Sequence, residues 1–288
     1  MKMKSLLTCL SCSALLALAT TTASAGPFTS IGVDASDPAL VAWAENVHSI
    51  LQTPSGANDG TLALGPADGS PFVSLGDLTA SEIAAGDSPG QITVEFASVA
   101  IVDGSGWDFA VFENAFEFPG DPFFFAELAY VDVSSNGTDF VRFPSISLNV
   151  EPVAGSGNED NELATGFGRN FAGLNTTNVQ NLAGIHPTLF GTQFDLADLL
   201  GEPEVIGGAV DLGNIHFVRL VDVPGDGTFL DSLDNPILDA WVTTGSGGLD
   251  LDAVGARNIV PEPSSVVLML VGMVFFAMGG GRRCRKDI

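Results

Sequence analysis

Between residues 26 and 260 no stretch of this chain keeps helical periodicity for long; its apolar residues come in short runs broken by Gly, Pro, Asn and Asp. Residues 91–96 (QITVEF) alternate, with Ile92, Val94 and Phe96 inward and Gln91, Thr93 and Glu95 outward, the pattern of a half-buried strand. Residues 107–116 (WDFAVFENAF) are apolar on both faces, which fits a central strand. Residues 128–134 and 139–143 flank Asn136-Gly137, a pair suited to the positive φ angles of a tight hairpin turn. Residues 215–223 (IHFVRLVDV) and 249–259 (LDLDAVGARNI) read as further strands, and 72–75 as a short one. Helical signals are brief. Asp37-Pro38-Ala39 opens a stripe of Leu40, Val41, Trp43 and Val47, and 194–200 offers one turn. The expected fold is all-β, an antiparallel β-sandwich or jelly roll with short helices.

The two ends follow other rules. Lys2 and Lys4, an apolar run over 6–19 and Ala23-Ser24-Ala25 make residues 1–25 a secretory signal peptide. Residues 264–281 carry no ionisable side chain, and a helix of that length rises about 27 Å, roughly one hydrocarbon core. Arg282, Arg283, Arg285 and Lys286 follow it, a basic end over 282–286 that favours the cytoplasmic side. A transmembrane helix is therefore expected over 264–281, within a tail of residues 260–288. Residues 26–259 are left as one exported domain, long enough for a sizeable core. Cys9, Cys12 and Cys284 all lie in the ends, so this domain has neither disulfide nor thiol chemistry.

Charge narrows the partners. The chain has 35 acidic and 10 basic residues; the two ends hold six of the basic ones and only Glu262 and Asp287 of the acids, leaving 33 acids, four arginines and no lysine. Nucleic acid is excluded, because phosphates need the opposite sign. Divalent cations are favoured, and calcium takes about six to eight oxygens from carboxylates and loop carbonyls. Asp103, Asp222, Asp226 and Asp231 in Gly-rich loops, with Asp250 and Asp252 two apart in a strand, are the expected calcium ligands.

Other chemistry is weaker. Gly86-Asp87-Ser88-Pro89-Gly90 matches G-x-S-x-G, but a loop precedes and a strand follows, the wrong order for a nucleophile elbow. His48, His186 and His216 lack the spacing of a helical zinc site. Asp108, Glu113 and Glu127 could pair for glycoside hydrolysis, yet among 33 acids some pair will meet that geometry by chance. The Phe-rich stretch 116–125 could stack sugar rings, but its lack of Trp and Tyr favours core packing.

Pro261-Glu262-Pro263, the apolar run and Arg282, Arg283 and Arg285 resemble the PEP-CTERM sorting tail of exported bacterial proteins. The resemblance implies a transient inner-membrane anchor, an exosortase-type membrane processing enzyme as partner, and a final location at the cell surface or outside the cell. Within the body, Ala63-Leu64-Gly65, Asp68-Gly69, 73–76 (VSLG), 133–140 (VSSNGTDF) and 250–254 (DLDAV) resemble the galactose-binding-like jelly roll of discoidin-type and carbohydrate-binding modules. That resemblance implies structural calcium near the closing strand. Together they imply a non-enzymatic surface or matrix protein that interacts, in the presence of calcium, with partners such as exopolysaccharide. The alternative is a secreted hydrolase, a glycosidase or esterase, on the same sandwich; it requires two carboxylates or a Ser-His pair in an open cleft.

Overall fold

The computed structural model describes residues 26–117, 124–150, 173–243 and 246–262. The signal peptide, Pro263, the apolar run and the terminal arginines lie outside these. No helix among the described residues is long and apolar enough to cross a membrane. The described chain is mostly β, with antiparallel strands in two six-stranded sheets and short helices at Ala80–Ala85 and Pro203–Ile206.

In the first sheet the order is Val33–Asp34, Phe190–Phe194, Phe109–Glu113, Asp250–Ala256 and Ala42–Trp43, with Val73–Ser74 also on Asp250–Ala256. The second runs Val141–Arg142, Ala129–Ser134, Phe217–Asp222, Gln91–Glu95 and Asn46–Leu51, with Leu182–Ala183 also on Ala129–Ser134. Asn46–Leu51 and Gln91–Glu95 both join the second sheet, and from there six strands of the two sheets alternate along the chain: Gln91–Glu95, Phe109–Glu113, Ala129–Ser134, Phe190–Phe194, Phe217–Asp222 and Asp250–Ala256 fall in second, first, second, first, second and first. Side chains of both sheets meet in one core, with Ile92, Val94, Val131 and Val218 from one side and Phe109, Val111, Phe194 and Val254 from the other. Phe109 stacks on Phe194 at 5.2 Å, and Phe143 meets both rings edge-on. Such pairs add about 0.5–1.5 kcal/mol each beyond their buried area.

The ladders sort strand ends into two poles. Glu113 lies opposite Leu251, Asp222 opposite Ala129 and Val221 opposite Gln91 at one pole. Phe109 lies opposite Ala256 and Phe217 opposite Glu95 at the other. There the described residues end: Ile259–Pro261 pairs with Val99–Ile101, Glu262 N–H donates to the Ser98 carbonyl, and Glu262 Oε1 lies 2.9 Å from His216 Nε2.

Two local expectations are corrected. The helical stripe expected from Asp37 is only a turn, in which Asp37 accepts from the Ala39 N–H, and the chain then enters strands Ala42–Trp43 and Asn46–Leu51. Pairing with Asp250–Ala256 and Gln91–Glu95 overrides the local preference, and Gly255 leaves the room that Trp43 and Leu40 fill. The Asn136-Gly137 hairpin is looser than a two-residue turn, because Val133 pairs with Val141. Asn136 Oδ1 accepts from the N–H groups of Thr138 and Asp139, and Gly137 alone takes a positive φ, 74°. Phe140 lies under the Arg219 guanidinium.

Candidate metal centre

At the first pole six acids from distant parts of the sequence converge: Asp77, Glu113, Glu127, Asp222, Asp239 and Asp250. Glu113 and Asp222 end strands, Asp250 begins one, Glu127 precedes Ala129–Ser134, Asp239 follows Pro236–Leu238, and Asp77 follows Val73–Ser74. All six are at most 7% exposed.

Backbone contacts fasten them together. Asp222 Oδ1 accepts from the Leu249 N–H at 2.7 Å, joining the second sheet to the residue before Asp250. Asp250 lies opposite Ser74 and accepts from its hydroxyl. Asp77 Oδ2 accepts from the Thr243 N–H at 2.9 Å, and Thr243 Oγ1 accepts from the Gly248 N–H. Asp239 Oδ2 accepts from the Leu128 N–H at 2.8 Å, beside Glu127. Gly248, at φ +66°, packs so closely that a Cβ there would stand 2.7 Å from Asp222 Oδ1.

Five oxygens are left over. Asp77 Oδ1, Glu113 Oε2, Glu127 Oε1, Asp222 Oδ2 and Asp239 Oδ1 are buried without a hydrogen-bond partner. Nor is there a compensating cation: among the described residues Arg142 and Arg219 both pair with Asp132, and Arg257 lies over Trp107. Burial, reinforced by the Asp222 charge, pushes Asp77 up to about 9. Burial raises Asp222 to about 7 and Asp250 to about 6. Burial and then neighbouring carboxylates hold Glu113 and Glu127 well above the ordinary range, and burial does the same to Asp239 despite its bond from Leu128. A buried carboxylate without partners either takes a proton or binds a cation. Carboxylates with free oxygens beside loop carbonyls are the donor set a hard divalent ion such as calcium takes.

Of the residues expected from the sequence, Asp222 and Asp250 belong to this pole. Asp252 faces elsewhere, accepting from the N–H groups of Gly69 and Asp68 where the strand register shifts. Asp226 caps its own turn through Thr228. Asp231 accepts from Ser147, Leu233 and Asn235; burial would raise it, but these bonds outweigh burial and lower it. Asp103 stands with Asp108 and Asp195, one oxygen of each within 4.8 Å of the others. Asp108 there accepts from the N–H groups of Gly104 and Leu196 and from the Asn258 amide. Asp77, Glu113, Glu127 and Asp239 were not among the expected ligands. The signal that could have found them is an acid embedded in an apolar run, as in AVFENAF, FFFAELAY and PILDAW.

The hydrolase motifs fare differently from the acids. The helix Ala80–Ala85 ends at Gly86 and the strand Gln91–Glu95 follows, so Ser88 sits on a helix-to-strand loop, the reverse of an elbow. His48 packs edge-on against Phe217, His186 bonds Ser30, and His216 bonds the Phe96 carbonyl and Glu262. Phe116 and Phe125 stack on one another at 4.8 Å, with Phe125 buried. No protein-family model, curated protein or solved structure matches this chain.

Proposed function

We propose that this chain is a non-enzymatic, exported module of the cell surface or extracellular matrix, whose β domain is secured at one pole by calcium. One observation carries the reading: six buried carboxylates share a pole with five unpartnered oxygens and no cationic side chain among the described residues. A divalent cation satisfies those oxygens and offsets their charge without protonation at neutral pH. Burial also argues against catalysis there, since a hydrolase must open its carboxylates to substrate.

Two antiparallel sheets between which the chain alternates from Gln91–Glu95 to Asp250–Ala256 support the jelly-roll class. The signal-like start, the uncharged run over 264–281 and the basic end support export, an inner-membrane anchor and sorting by an exosortase-type enzyme acting on Pro261, Glu262 and Pro263. For exopolysaccharide, support comes from a groove of about 480 Å3 lined by hydroxyls and amides, including Ser30, Gln180, Thr192 and Gln193.

The deciding experiment is calorimetric melting with calcium and with chelator. A ligand held only by the native state raises the midpoint, by about 2.7 kcal/mol of stability at a hundred times its Kd. An unchanged midpoint across all calcium concentrations refutes the metal reading. Replacing Pro261 and Pro263 should separately leave an unprocessed, membrane-retained form; normal release of that variant refutes the sorting reading.

A further inference from the structure

The last described strand is not free chain. Ile259–Pro261 pairs antiparallel with Val99–Ile101: Ile259 lies opposite Ile101, Val260 opposite Ala100 and Pro261 opposite Val99. The ladder extends at both ends, where Val102 N–H donates to the Asn258 carbonyl and Glu262 N–H donates to the Ser98 carbonyl at 3.1 Å. Backbone donors alternate in direction along a strand. The inward N–H of Glu262 therefore puts Pro261, which has none, on the outward beat, where an edge strand tolerates proline.

Side chains fasten the same end. Glu262 Oε1 lies 2.9 Å from His216 Nε2, and the other ring nitrogen, Nδ1, donates to the Phe96 carbonyl at 2.9 Å. Phe96 N–H in turn donates to the His216 carbonyl, so the ring is aimed at Glu262 from a fixed backbone. The receiving edge is tied down as well. Ser98 N–H donates to Glu45 Oε2 at 3.0 Å, and Ile101 exchanges two backbone bonds with Ile215, the neighbour of His216.

Pro261 and Glu262 thus belong to the folded domain, and only Pro263 separates them from the uncharged run that begins at Ser264. A peptide recognised in extended form is held through its main-chain hydrogen bonds and through pockets for alternate side chains. Here the Glu262 N–H and carboxylate are already engaged by Ser98 and His216, and the same groups cannot serve a second partner at once.

We propose that the domain masks its own sorting triplet: residues 259–262, docked on Val99–Ile101 and latched by Glu262 on His216, must peel away before the membrane processing enzyme can act. The inference rests on the sorting reading above and adds to it a gate built into the fold, opened by local release of one strand and not by global unfolding.

The test compares two rates in the full chain: amide exchange at Val260 and Glu262 in detergent-purified protein, and loss of the tail in pulse-chase of the producing cells. His216→Ala removes the latch without touching the triplet. For a partly exposed pair both rates should rise together, by about two- to fivefold. Faster exchange with unchanged tail loss would overturn the gate, and unchanged exchange would overturn the latch. Ala100→Cys combined with Val260→Cys supplies a lock. Hydrogen-bonded opposite residues of an antiparallel ladder stand about 5.5 Å apart at Cα, within disulfide reach, and residues 26–259 hold no cysteine to compete. Oxidised, this variant should keep its tail; after thiol reduction it should lose it. Normal tail loss from the oxidised form overturns the gate and leaves the sorting reading intact, whereas an unaltered chain that never loses its tail overturns both.

Discussion

Replacing Asp222 by Asn should shift the melting temperature in opposite directions with and without calcium. Asp222 is fully buried; Oδ1 holds the Leu249 N–H and Oδ2 has no partner. Asparagine keeps the shape and the Leu249 bond but removes one of six negative charges. Without cation that relieves like-charge repulsion in a low-dielectric site, so the variant should melt above the parent. With calcium at a hundred times its Kd, an ion held only by the native state adds about 2.7 kcal/mol. For a domain of this size 1 kcal/mol moves the midpoint by about 2–4 °C, so loss of that ion should lower it by about 5–11 °C. Scanning calorimetry of parent and variant, in millimolar calcium and in chelator, reads all four midpoints. An equal drop in both conditions would mean that Asp222 serves only as the acceptor for Leu249, and the cation argument would fail.

Other perturbations probe the supports of the same fold. Gly248→Ala should cost about 1–3 kcal/mol and reduce the protection given by calcium, because it strains a positive φ and pushes into Asp222; an unchanged midpoint in denaturant titration would refute the close packing. Asp132 is buried and receives both Arg142 and Arg219, with contacts as short as 2.7 Å, so Asp132→Ala should cost about 2–4 kcal/mol and be insensitive to calcium. Burial holds His186 down to about 4 from an ordinary 6.5. The unfolded chain then binds a proton that the folded chain refuses, so stability falls as pH drops from 6.5 towards 4, by at most about 3 kcal/mol, and this loss is absent above 6.5. His186→Gln should flatten that limb; parallel acid melting curves for parent and variant would contradict it.

The strands with alternating or doubly apolar patterns were legible because period two is a local property: QITVEF and IHFVRLVDV form strands at the expected places, although Thr93, expected outward, is buried in a strand paired on both sides. The 37–47 stretch was not, since the sheet partners that extend it, Gly255–Ala256 and Gln91–Glu95, lie far along the chain. The hairpin after Ser134 was legible as a reversal but not in its length, because Asn136 spends its side chain on Thr138 and Asp139. Of the acid pole, two of six residues were legible. Asp222 in a Gly-rich loop and Asp250 in the closing strand are legible as ligands, but convergence from Asp77 to Asp250 is set by topology, which no spacing rule carries. Glu113 and Glu127 fit a catalytic pairing by residue type, but an acid amid phenylalanines is first a sign of burial.

The two poles of the domain have a mechanical meaning. Ile259–Pro261 lies at one pole, and the strand before it, Asp250–Ala256, runs through the sheet to the acids at the other. A pull on the C-terminal side therefore enters the core along a central strand. The ladder bonds of that strand to Phe109–Glu113 lie across the pull and share the load instead of opening one at a time. At its far end Asp250 is gripped among the buried acids, so an ion there would act as a stop knot on the thread. A domain tethered by its tail would present that knotted end away from the tether, where calcium in the surroundings would set how hard the thread can be pulled.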